Sequence, residues 1–180
     1  MLTFAGAVRA IDEFLQAKSS SPDDVLDLHT PVQFDPSLMP RLLAAHETLN
    51  SRFATLLCLI ERDDAGAAEV ARECLKQFHE LRRAESIWLY PVLARIVDED
   101  DAARSRLMEL RLVTLTLARR ILRCFDALVR AIDAGAEGRR SAAAEVSAAL
   151  AEYLRRSETE IYPLYSLMSL LSAGRSARAA

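Results

Sequence analysis

Phe78-His-Glu-Leu-Arg-Arg-Ala-Glu-Ser-Ile-Trp-Leu-Tyr-Pro-Val-Leu93 is the stretch that decides the fold of this chain. Phe78, Leu81, Glu85 and Trp88 or Leu89 fall on one face of a helix, so Glu85 is a carboxylate on an otherwise apolar stripe. A weaker copy follows at Tyr153-Leu-Arg-Arg-Ser-Glu-Thr-Glu-Ile-Tyr-Pro-Leu-Tyr165. There Leu150, Tyr153, Ser157, Ile161 and Leu164 make the corresponding stripe, with Glu158 one step off it. Both copies pass through Arg-Arg and an acidic residue into a Tyr-Pro pair. Two similar amphipathic helices with a polar residue facing inward point to a helical bundle with a polar centre.

Working outward, the helix that carries the first copy starts near Ala67 and runs to about Val97. Pro91 cannot continue the hydrogen-bond ladder, so a kink or break is expected there. Upstream, Asp35 or Ser37 can cap a helix whose stripe is Leu42, His46, Leu49, Phe53, Leu56 or Leu57, and Ile60. Glu61-Arg-Asp-Asp-Ala-Gly66 closes that helix. Downstream, Asp98-Glu-Asp-Asp101 suits the start of a third helix. Its stripe is Leu107, Leu110, Thr114, Leu117, Ile121, Cys124 or Phe125, Leu128 and Ile132, and Ala134-Gly-Ala-Glu-Gly138 stops it. The fourth helix runs from about Ser141 to Leu171, with a break at Pro163. The fold expected is all-α: an up-down-up-down four-helix bundle over 38–172. Residues 1–37 add an amphipathic helix (Phe4, Val8, Ile11, Phe14 or Leu15) and an apolar connector, and 173–180 form a frayed tail.

Composition narrows the class. The chain has 180 residues, 51% of them hydrophobic, which is enough for one well-buried domain. A net charge of −3 gives no whole-molecule attraction to nucleic acid, so none is expected as a partner. No apolar run reaches the length of a membrane span, and the N-terminus lacks the pattern of a signal peptide. The three cysteines, Cys58, Cys74 and Cys124, read as reduced thiols packed as small apolar groups. Cytoplasmic residence is the expectation.

Only stripe positions on facing helices converge in a bundle core. The polar ones are His46, Glu85, Thr114, Tyr153 and Ser157, with Glu158 beside them. His79 lies about 200° from Leu81 on the helical wheel and reads as a solvated residue. Glu80, Arg82 and Arg83 read as a solvated or partner-binding face. A di-iron carboxylate site uses roughly five to seven protein ligands, and a single zinc or iron about three or four. One histidine and one inward carboxylate fall short of that. No Ser-His-Asp set, phosphate-cradling glycine loop or activated cysteine is present, so no enzymatic activity is expected.

With those residues in view, the chain resembles the hemerythrin-like (HHE cation-binding) family over about residues 38–170. Glu85-Ser-Ile-Trp-Leu-Tyr-Pro-Val-Leu93 and Ser157-Glu-Thr-Glu-Ile-Tyr-Pro-Leu164 are similar to the family's two His-to-Glu segments running into Leu-Tyr-Pro or Leu-Phe-Pro. Ala45-His46 with Leu49 and Phe53 is similar to its first histidine helix. The resemblance implies that His46 and Glu85 stand at ligand positions. It implies equally that Leu81, Thr114, Tyr153 and Ser157 replace the remaining ligands, with Glu158 displaced by one. A looser likeness, in length and helix order, is to the Rsd/AlgQ type of anti-sigma factor, a helical bundle without a di-iron centre.

These readings set three expectations. The first is a bundle without cofactor that acts as a regulatory or protein-interaction module, with another protein as partner. The N-terminal helix is expected to cover the bundle, with a homodimer through it as the alternative. The second is a divergent sensor binding iron or another transition metal, or dioxygen, through His46, Glu85 and Glu158. The third is an anti-sigma-like regulator. Under the first, an unpartnered carboxylate at Glu85 is costly in the core, so Glu85 is expected to be protonated or paired, with a His46–Glu85 contact, direct or through one water. Tyr153 or Thr114 would add a hydroxyl donor. The pairs Arg82-Arg83, Arg119-Arg120, Arg139-Arg140 and Arg155-Arg156 would bind a phosphate or an acidic protein patch if several converged.

Overall fold

The computed structural model describes residues 34–97, 101–135 and 137–166. The expected helix and most of the connector over 1–37, and the tail over 173–180, lie outside the described residues. All regular structure among them is helical. The elements are α1 (Leu38–Glu61), α2 (Ala67–Ala84), α3 (Tyr90–Ile96), α4 (Asp101–Asp133) and α5 (Arg139–Arg156). A π-helical turn over Glu85–Leu89 joins α2 to α3 without a loop, and a second over Ser157–Ile161 follows α5. Helix continues through residues 162–166. Counted this way there are four helical runs, each packed on the next, and the fourth also packs on the first.

Local chemistry sets the ends. Before α1, Asp35 Oδ1 accepts the Ser37 backbone N–H at 2.8 Å and the Ser37 hydroxyl at 2.7 Å. Asp35 is held in turn by Tyr165, whose hydroxyl accepts from the Asp35 N–H at 2.9 Å and donates to its carbonyl at 3.0 Å. After α1, Asp63 takes a left-handed conformation (φ 59) and its carboxylate pairs with Arg139 at the start of α5. α4 stops where Gly135 adopts φ 62, a conformation that glycine enters without the Cβ penalty.

The inward stripes are those that helical periodicity selects. Leu42, His46, Leu49, Phe53, Leu56 and Ile60 are buried on α1, and Leu107, Leu110, Thr114, Ile121, Phe125 and Leu128 on α4. Phe53 meets Phe125 edge-on, with centroids 6.0 Å apart. Cys74 is buried and Cys124 half-buried, but Cys58 is exposed, contrary to its expected place in the core.

The prolines correct the expected breaks. Neither helix breaks at the Tyr-Pro pair; each widens into a π turn just before it. In the first, the Tyr90 N–H donates to the carbonyl of Glu85, five residues back, and in the second Tyr162 does the same to Ser157. The wide turn absorbs the irregularity that a missing proline N–H would otherwise leave as a kink. It also delays the phase of the helix by about one residue. Beyond Ser157 the inward positions are therefore Ile161, Tyr162 and Tyr165, while Leu164, expected inward, is 37% exposed. Beyond Glu85 they are Leu89, Tyr90, Val92 and Leu93, and Trp88 is 57% exposed. The π turns bring both tyrosines of the Tyr-Pro pairs into the core.

Candidate functional site

Glu85 is the centre of a buried polar cluster to which nearly every helical run contributes. Its carboxylate, 1% exposed, opens the first π turn. Oε1 accepts the Tyr162 hydroxyl at 2.8 Å. Oε2 accepts the Tyr153 hydroxyl in a short hydrogen bond and the Arg82 guanidinium at 3.1 Å. Arg82 also donates to the Tyr153 oxygen at 3.0 Å, and its Cζ lies 5.7 Å from the centre of that ring. Phe78 packs edge-on against the same ring.

His46 reaches Glu85 through Tyr162. Its Nε2 is 2.8 Å from the Tyr162 hydroxyl, and its Nδ1 is 2.9 Å from Oε1 of Glu158. The expected His46–Glu85 contact is thus mediated, and the mediator is a tyrosine hydroxyl. That hydroxyl has one proton, which it gives to Glu85, so it accepts from Nε2–H of His46. Nδ1 faces a carboxylate, which only accepts. Both ring nitrogens are therefore engaged by protein oxygens. Arg82 stands against Glu85, and the His46 ring links Tyr162 to Glu158 at the rim.

Burial decides the state of the tyrosines. Loss of solvent, followed by the charge of Glu85, holds the Tyr153 and Tyr162 hydroxyls well above the usual tyrosine range. The same two causes raise Tyr90. All three remain neutral donors. Burial works against the charge of Arg82, but Tyr153 and Glu85 outweigh it and keep the guanidinium firmly protonated.

The inward polar residues read from sequence, His46, Glu85, Thr114, Tyr153 and Ser157, are all buried, and Glu158 is half-exposed at the rim. They form more than one group. Thr114 is not a partner of Glu85: its Oγ1 lies 2.9 Å from the Tyr90 hydroxyl and donates to backbone carbonyls of its own helix. Ser157 Oγ is buried without a hydrogen-bond partner. His79 is exposed. Arg82, read as part of a solvated face, instead folds inward, its side chain only 17% exposed.

Tyr162 and Arg82 are the members that stripe reasoning passes over. Arg82 precedes Glu85 by three residues, a spacing that lets an acid and a base meet on one helix face, and this is the signal in the sequence. Tyr162 stands in the repeated Tyr-Pro pair, whose repetition is its signal.

A di-iron centre does not suit these donors. Both oxygens of Glu85 and both nitrogens of His46 are engaged by protein groups, and a cation already stands against the carboxylate. The two tyrosines would have to ionise against their surroundings to act as ligands. Among the described residues, no three His, Cys, Asp or Glu side chains converge as a metal ion would require. No described helix is long and apolar enough to cross a membrane. No family model, curated protein or solved structure matches the chain.

Proposed function

We propose that this chain is a hemerythrin-like, up-down-up-down four-helix bundle in which a hydrogen-bonded cluster takes the place of a metal centre. It acts as a regulatory or protein-interaction module, without catalysis, and its partner is another protein. The observation that carries this reading is Arg82. Its guanidinium meets Glu85 where a cation is needed, at 3.1 Å, and supplies the charge that a bound metal would supply in a ligand-rich bundle. The succession of helical runs, each packed on the next with the fourth returning to the first, supports the bundle topology. The paired π turns at Glu85 and Ser157 support an origin in two related segments.

Metal content tests the reading. Protein produced in iron-rich medium is expected to purify without stoichiometric iron, manganese or zinc by plasma mass spectrometry. It is also expected to lack charge-transfer absorption. About two irons per chain with oxo-bridge bands would overturn the proposal. One metal per chain, lost in Glu85→Ala, would replace it with a sensor built on His46, Glu85 and Glu158.

A further inference from the structure

The outward side of α2 carries an open groove of about 410 Å³, lined by Arg72, Leu75, Lys76, His79, Glu80 and Arg83. Helical periodicity puts the four basic side chains in one row, because Lys76, His79 and Arg83 follow Arg72 at whole numbers of turns. Arg72 is already spent: its Nη2 donates to both oxygens of Asp133 on α4, at 2.8 Å each. Lys76 and Arg83 are exposed and stand about 10 Å apart along the helix. Among the described residues no carboxylate pairs with either of them. Leu75 is half-buried against the core and gives the same groove an apolar strip.

We infer that this groove is the docking surface for an acidic, amphipathic helical segment of another protein, an inference that rests on reading the chain as an interaction module. Charge complementarity chooses the occupant. Two open cations seven residues apart match carboxylates two turns apart on a facing helix, and Leu75 takes an apolar side chain between them. The guanidinium of Arg83 offers paired N–H donors to a carboxylate, and His79 adds a ring N–H within the row. A phosphate backbone fits less well. It needs a long basic surface, whereas Glu80 lines this groove and the whole chain carries a charge of −3. A peptide can set a neutral or basic residue opposite Glu80, which a run of phosphates cannot.

Fluorescence anisotropy of a labelled peptide, with Glu and Leu repeated at helical spacing, tests the groove when the full chain is titrated in. Saturable binding is expected, weakening as salt is raised, and a peptide with Lys in place of Glu should not bind. Lys76→Glu and Arg83→Glu should each weaken binding about five- to tenfold. Arg123→Glu makes the same charge change at an exposed position of α4 outside the groove and should leave the affinity as it was. Absence of saturable binding would overturn the inference, as would an equal loss in Arg123→Glu. Tighter binding of a single-stranded oligonucleotide, lost in the same two variants, would assign the groove to nucleic acid instead. A dimer in sedimentation that Lys76→Glu or Arg83→Glu dissolves would assign it to a second copy. Peptide binding that survives both reversals would also overturn the inference, yet leave an interaction module with its partner on another face. Iron in the purified chain would overturn the module reading by itself, so the two failures are distinguishable.

Discussion

A carboxylate in an apolar core is tolerated only when its charge is met and its lone pairs are filled. Glu85 meets this condition through one cation and two hydroxyls, and each makes a separable contribution. Arg82→Met would leave a buried carboxylate with no cation, and a loss of about 3–5 kcal/mol is expected in urea denaturation. Adding Glu85→Gln to that variant removes the stranded charge and should recover a large part of the loss. A cost below about 1 kcal/mol for Arg82→Met would show that Arg82 is not the counter-ion. Tyr162→Phe keeps the ring and deletes the bridge, stranding Nε2 of His46 and Oε1 of Glu85. About 2 kcal/mol is expected, and a smaller value would mean that another group takes the bridging place.

At the scale of elements, turn chemistry allows a sharp comparison. Gly135 ends α4 at φ 62 with no atom of the described residues within 4 Å of where a Cβ would stand, so a substitution there meets backbone strain first. Gly135→Ala should cost about 1–2 kcal/mol, and Gly135→Asn clearly less, because asparagine tolerates the left-handed region. Equal thermal midpoints for the two variants would mean that the turn relaxes into another conformation. This stop, like the inward faces of α1 and α4, is legible in the sequence. A period of 3.6 and a few capping residues suffice to place them. The two π turns are not legible in that way. Pro91 and Pro163 announce an irregularity, but whether a helix kinks, breaks or widens depends on what the shifted side chains then meet. Here the wide turn places Tyr90 and Tyr162 on buried polar partners, and Leu164 moves outward in exchange. Arg82 escapes a wheel diagram for a different reason. The wheel records the direction of Cβ, whereas a long side chain can leave a flank position and return to the core through its apolar stem.

At the scale of the whole molecule, all four tyrosines of the chain are buried: Tyr90, Tyr153, Tyr162 and Tyr165. Each has its hydroxyl pushed above the ordinary range, with burial the first cause in every case. The sign of the linkage follows. Below the unfolded value of about 10 the tyrosines are neutral in both states and leave stability untouched. Above it the unfolded chain releases these protons and the folded chain holds them, so stability falls as pH rises. Each fully suppressed tyrosine contributes up to about 1.4 kcal/mol per pH unit. Four together make the alkaline limb steep. Tyrosinate absorbance in the ultraviolet is therefore expected to stay low as pH passes 10, and then to appear in one step with the loss of helical circular dichroism. Tyr153→Phe and Tyr162→Phe should each flatten the fall in urea midpoint above pH 10, because each removes one suppressed proton from the difference between the states. Gradual titration of the tyrosines in a chain that is still fully helical would contradict the buried cluster directly. Water would then have to reach Glu85 and its donors in the folded state, and the need for Arg82 as a fixed counter-ion would disappear with it.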